Sequence, residues 1–134
     1  MNTQTIEDSQ ELPLVTFNSL YSLLREEKKT KVLMKLPEKF YPGFQNFIEE
    51  KQTEALKHTQ NKENSKAMKE QKIIMGSQNL INELLSLRLS KISTLAVKTT
   101  IFDEEEFSTK NLMEDEKNFY EEVLKLSKKA KQLI

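Results

Sequence analysis

The stretch Gly76-Ser77-Gln78-Asn79-Leu80-Ile81-Asn82-Glu83-Leu84-Leu85-Ser86-Leu87-Arg88-Leu89-Ser90-Lys91-Ile92 decides the fold class. Ile74, Ser77, Ile81, Leu84, Arg88, Ile92 and Leu95 succeed one another at steps of three or four. That is the period of one face of an α-helix. Leu80, Leu85 and Leu89 widen the stripe, and no proline interrupts it. The pattern predicts a helix from about Lys66 to about Val97, roughly 45 Å long at 1.5 Å per residue. Strict heptads are not sustained, so a free coiled coil is not the first reading.

Helical signals continue on both sides. Upstream, Phe17, Leu20, Tyr21 and Leu24 mark a first helix over residues 17–28, with Thr16 as its N-cap. Glu26 and Glu27 lie beyond that stripe, at the helix end. A short basic connection leads to Pro37 and Pro42. Proline is tolerated in a first helical turn, where its missing N–H costs nothing. A short turn at Pro37 and a second helix from Pro42 follow. Phe40, Phe44, Phe47 and Ile48 give this region an aromatic-rich face. Residues 57–66 are wholly polar and read as the tip of a helical hairpin. Downstream, residues 99–109 form a loop that contains Asp103-Glu104-Glu105-Glu106. A last helix over 114–132 carries Phe119, Tyr120, Val123, Leu124 and Leu126. Glu114, Asp115 and Glu116 open it and Lys125, Lys128, Lys129 and Lys131 close it, as the helix dipole favours. The expected fold is all-α, a helical bundle with a long helical hairpin. Residues 1–15 are a flexible lead-in and residues 16–134 one helical domain.

Composition narrows the function classes. Of 134 residues, 37% are hydrophobic and 31% charged, which suits thin apolar stripes on extended helices. Lysine plus arginine number 21, as do aspartate plus glutamate, so no global field draws the chain to nucleic acid. There is no cysteine, hence no disulfide, thiolate nucleophile or zinc knuckle. No apolar run approaches the ~20 residues of a membrane span, and the polar N-terminus lacks the order of a signal peptide. A soluble, cytoplasmic protein is expected.

Few residues invite a chemical role. His58 is the sole histidine and stands in the polar tip with no second ligand type nearby, so it reads as a surface residue. The acidic run at 103–106 lacks the alternating ligands and turn glycine of a hard-cation loop. It reads as a solvated loop, with docking of a basic partner segment as its functional alternative. The lysines between Lys51 and Lys72 give the tip a mild positive bias, which Glu54, Glu63 and Glu70 offset, and no aromatic falls between Phe47 and Phe102 to stack on bases. Gly76-Ser77 lies within a helix, which is the wrong context for a serine nucleophile. No phosphate loop or metal set is present. The expectation is a protein without enzymatic activity, cofactor or metal.

Arg88 is the exception that needs a partner. It is in line with Leu84 and Ile92, and an unpaired buried charge is very costly. Glu26 and Glu27 on the first helix are the candidate carboxylates, with Glu83 as a local one. The expected outcome is a structural ion pair between Arg88 and Glu26 or Glu27.

Four phrases carry a family resemblance. Leu24-Arg25-Glu26-Glu27-Lys28 resembles the Leu-Arg-x-Glu-Lys pattern in the first helix of GINS subunits of the class in which the helical A domain comes first. Leu36-Pro37 and Phe40-Tyr41 resemble that class's Leu-Pro-x-x-Phe-Tyr turn. Leu87-Arg88-Leu89-Ser90-Lys91-Ile92 resembles its Leu-Arg-x-x-Lys-Ile segment. Asp115-Glu116-Lys117 before Phe119-Tyr120 resembles the opening of its last helix. The similarity spans about Phe17 to Leu126. It implies the archaeal counterpart of the eukaryotic Sld-five and Psf-one subunits, a scaffold of the DNA replication fork. The implied partners are other GINS subunits in a homo- or heterotetramer, the MCM helicase and a RecJ-like protein, with direct DNA binding weak or absent. Nucleoid association is implied too, or a nuclear location in a eukaryote. The family's β-rich B domain is expected after the last helix; the sequence ends at Ile134, as either a natural A-domain-only subunit or a cut chain. Leu80, Leu85, Leu87 and Leu89, with Phe40, Tyr41, Phe44 and Phe47, are the candidate partner surface. The alternative is a generic helical-hairpin adaptor or chaperone-type protein of the prefoldin kind, whose β-strands have no counterpart in the pattern.

Overall fold

The computed structural model describes residues 12–102 and 109–134. They form four helices: α1 Phe17–Lys29, α2 Phe40–Gln60, α3 Asn64–Phe102 and α4 Glu114–Lys131. The described residues contain no strand, so the chain is all-α. The acidic run at 103–106 and most of the N-terminal lead-in lie outside the described residues. None of the described helices is long and apolar enough to cross a membrane.

The chain divides into two compact units. The first takes the described residues up to Leu23 together with Pro37–Asn82. The second takes Leu24–Leu36 and the described residues of Glu83–Ile134.

In the first unit, α1 starts with a reciprocal cap. Ser19 N–H donates to Thr16 Oγ1 at 3.0 Å, and Thr16 N–H donates to Ser19 Oγ at 2.9 Å. Two of the donors that a helix start leaves orphaned are satisfied this way. α2 begins two residues before Pro42, so the proline falls within the first turn, where no intrahelical partner is needed for its nitrogen. Its N-cap, Lys39, has φ 57°. Gly43 faces Pro13 so closely that an added Cβ would lie 2.8 Å from Pro13 Cγ. Val15, Leu20, Phe40, Phe47, Ile48, Ala55, Ala67 and Ile74 are the buried apolar residues of this unit. Ser77 is fully buried among them, and its hydroxyl has no hydrogen-bond partner.

Three residues, 61–63, turn α2 into α3. Glu63 N–H donates to His58 O at 2.8 Å and Lys62 N–H to Thr59 O at 3.1 Å. These are the two bonds of a Schellman cap, with Lys62 in the left-handed position at φ 59°. Glycine is the usual occupant because a Cβ is disfavoured there. Lys62→Gly is expected to raise stability by about 1 kcal/mol, read as a higher urea midpoint at unchanged slope. His58 is half-buried beside this turn, its Nδ1 3.1 Å from Glu63 Oε1. That contact, then Lys66, holds the Glu63 carboxyl below its usual range.

Farther along the same pair of helices, Lys51 Nζ is 3.5 Å from a carboxylate oxygen of Glu54 and of Glu70. A hydrogen bond donated to Glu54, then burial, push the Glu70 carboxyl above its usual range. The same hydrogen bond holds Glu54 below it. A raised native pKa stabilises below the unfolded value, and the benefit is lost as pH rises through the native one. Glu54 acts oppositely, and its contribution disappears only below the ordinary carboxylate range. Glu70→Gln keeps a donor for Glu54 and removes the second charge. The variant is expected to be more stable than the parent near pH 7. The difference should shrink toward about pH 4, the ordinary carboxylate range, in urea unfolding at a series of pH values.

In the second unit the buried row of α3 runs Leu84, Arg88, Ile92, Ala96 and Thr100 at steps of four. The small residues at its end carry the stripe through Phe102, five residues past the end predicted from the apolar pattern. Lys131 Nζ donates to Thr100 O at 3.0 Å, and so satisfies one of the carbonyls that a helix end leaves open.

Candidate functional site

The candidate site is the charged interior of the second unit. Leu20, Leu24 and Glu27 are all buried and follow at steps of four and three, so Glu27 continues the inward stripe of α1 and does not lie beyond it. Glu26 is one position round the helix, exposed and bonded to Lys29 at 3.3 Å. Arg88 is fully buried on α3. Glu116, in the first turn of α4, is buried as well.

These groups form one network. Arg88 Nη1 donates to Glu27 Oε1 at 2.9 Å and to Met34 O at 2.7 Å. Arg88 Nε and Nη2 donate to the two oxygens of Glu116 at 2.7 and 2.8 Å, a bidentate fork. Nη2 also donates to Asn111 O at 3.0 Å. A guanidinium has five N–H groups, and all five are used. Lys91 Nζ donates to Glu27 Oε2 at 2.6 Å, to Glu27 O at 2.7 Å and to Val32 O at 2.8 Å, which uses its three N–H groups. Glu27 Oε2 also accepts from Met34 N–H at 3.2 Å, and Glu116 Oε1 from Met113 N–H at 2.9 Å. Asn111 Nδ2 donates to Leu33 O at 2.9 Å.

Two cations meet two anions, so the network is neutral as a whole. Burial acts to lower the Arg88 pKa, but hydrogen bonds and charge from Glu116, then Glu27, outweigh it and the net shift is upward. The guanidinium stays charged at every accessible pH. With every N–H engaged, it has nothing left to offer a substrate. What the arrangement does chemically is cross-link. One side chain joins the end of α1, the connection at Met34, α3, the turn at Asn111 and the start of α4.

No family model and no curated protein matches this chain.

The sequence offered Glu26 or Glu27 as the partner of Arg88, and the structure brings Glu27 to it. It does not bring in Glu26, nor Glu83, which is half-exposed and 2.6 Å from Lys28. Glu116, Lys91 and the carbonyls of Met34 and Asn111 were missed. The candidate partner surface needs correction. Phe40 and Phe47 are buried within the first unit, because α2 starts at Phe40 and its inward stripe passes through both. Tyr41, Phe44, Leu80, Leu85, Leu87 and Leu89 are half-buried. The large apolar residues most open to solvent on α2 and α3 are others: Leu56, Met68, Met75 and Phe102. Among the described residues no group of three or more histidine or acidic side chains is arranged to hold a metal ion.

Proposed function

We propose that this chain is a non-catalytic scaffold subunit of the GINS type, supporting the replicative MCM helicase at DNA replication forks. One observation carries the reading. Each of the four phrases that resemble GINS subunits supplies residues on which the interior depends. Leu24-Arg25-Glu26-Glu27-Lys28 supplies Glu27, Leu87-Arg88-Leu89-Ser90-Lys91-Ile92 supplies Arg88 and Lys91, and Asp115-Glu116-Lys117 supplies Glu116. Leu36 and Phe40 of the remaining phrase are both buried. A saturated ion network serves a rigid scaffold rather than a turnover site, since its groups have no capacity left for a substrate. A generic helical adaptor gives no reason for these phrases to occur in this order.

The reading predicts a tetramer, of this chain alone or with a second GINS subunit, and association with MCM and a RecJ-like protein. The test combines light scattering after size exclusion with co-purification of MCM. A tetramer that retains MCM is the expected result. A stable monomer at micromolar concentration, unchanged by a GINS-type partner or by MCM, overturns it.

A further inference from the structure

The connection leaving α1 passes Lys31, Val32 and Leu33 beside α3 and leaves a groove of about 400 Å³ within the second unit. Val32, Leu33 and Leu95 give it an apolar lining, and Lys31, Lys91 and Lys98 bring ammonium groups to it. The three lysines are not equivalent. Lys91 is consumed by Glu27 and two carbonyls. Lys31 and Lys98 are exposed and have no carboxylate partner among the described residues. Val32 is 69% exposed, although valine is among the residues most often buried. A groove of this size falls in the range of specific binding pockets. Its local charge is positive in a chain whose net charge is zero.

We propose that this groove docks a short acidic peptide segment of a partner protein, with one apolar anchor residue. The anchor covers Val32 and Leu95, and flanking carboxylates meet Lys31 and Lys98. Charge complementarity selects the sign of the partner. The lining selects a peptide over a nucleic acid, because none of the groove residues is aromatic and single strands are held by stacking on aromatic faces. An apolar anchor in a pocket with charged groups at the rim is the usual division of labour at a docking site. The inference does not rest on the GINS reading, since it uses only the groove and its lysines.

The test uses the full chain and a fluorescein-labelled synthetic heptapeptide of six acidic residues around one central Leu, read by fluorescence polarisation. Controls are the same peptide with lysine for every acid, and a labelled thymidine oligonucleotide. Saturable binding of the acidic peptide alone is expected. The double variant Lys31→Glu, Lys98→Glu should weaken it by about tenfold or more, the sum of two modest ion pairs turned to repulsion. Val32→Ser should weaken it as well, without reducing its salt dependence. All three positions are exposed, so the helical circular dichroism should be unchanged. Binding that ignores these substitutions, a preference for the oligonucleotide, or no acidic-peptide binding at millimolar concentration overturns the proposal.

Discussion

Arg88→Ala is expected to cost about 3–5 kcal/mol, the range for breaking a buried ion pair by removing one partner. The loss has little to do with the area of the side chain. Removing the guanidinium leaves the Glu116 carboxylate without its bidentate partner and Glu27 without one of its two cations. It also strips the carbonyls of Met34 and Asn111 of their donor. A chain of this size is stable by about 5–15 kcal/mol, so the variant forfeits a large share of the total. Arg88→Lys should recover only part, because three N–H groups in a cone cannot replace five in a planar fork. Double-mutant cycles apportion the network. Strong coupling is expected between Arg88 and Glu116 and between Arg88 and Glu27, and none between Arg88 and Glu26. Replacing Arg88, Glu27 and Glu116 together by apolar residues is not expected to be neutral, because Glu27 also holds Lys91 and the Met34 N–H. Urea unfolding of the set, followed by circular dichroism, gives each value. A loss below about 1 kcal/mol for Arg88→Ala would place the arginine in an exposed site, against the geometry.

How much of this is legible in the sequence depends on how local the signal is. The helices are legible because a stripe at steps of three and four, free of proline, has few alternatives. The buried state of Arg88 is legible for the same reason, since it is in register with Leu84 and Ile92. The choice of Glu27 over Glu26 was available too. The steps Leu20, Leu24, Glu27 continue one face, but a glutamate at a helix end reads as solvated, so the stripe was closed one turn early. Glu116 was not available. It is 28 residues from Arg88, among three acids that the helix dipole already explains, and its selection depends on how the turn before α4 is folded. The carbonyls of Met34 and Asn111 are equally silent, because every residue has one. The Schellman turn is hidden by Lys62, where the sequence lacks the glycine that announces such caps.

Phe40→Ala is the other large effect, with an expected loss of about 3–5 kcal/mol. The aromatic-rich sequence Phe40, Tyr41, Phe44, Phe47 looks like a surface offered to a partner. In the structure Phe40 is only 1% exposed, one of the largest fully buried side chains. Its ring meets Tyr41 edge-on, with centroids 5.5 Å apart. It also lines, with Pro13, Val15, Leu23 and Pro37, a small cleft of the first unit. That cleft is not expected to close over the void left by alanine. Two of its walls are prolines, whose rings cannot re-orient, and Pro13 is held against Gly43. The cavity therefore persists, and the cost falls toward the upper end of the range. Leu56→Ala is the matched control, since Leu56 lies on the same helix but is 60% exposed, and it is expected to change stability by less than about 0.5 kcal/mol. The pair separates interior from interface. If Phe40 served a partner instead of the core, its alanine variant would keep the unfolding midpoint of the isolated chain and lose only assembly. The packing requires the reverse order, a lowered midpoint before any partner is added.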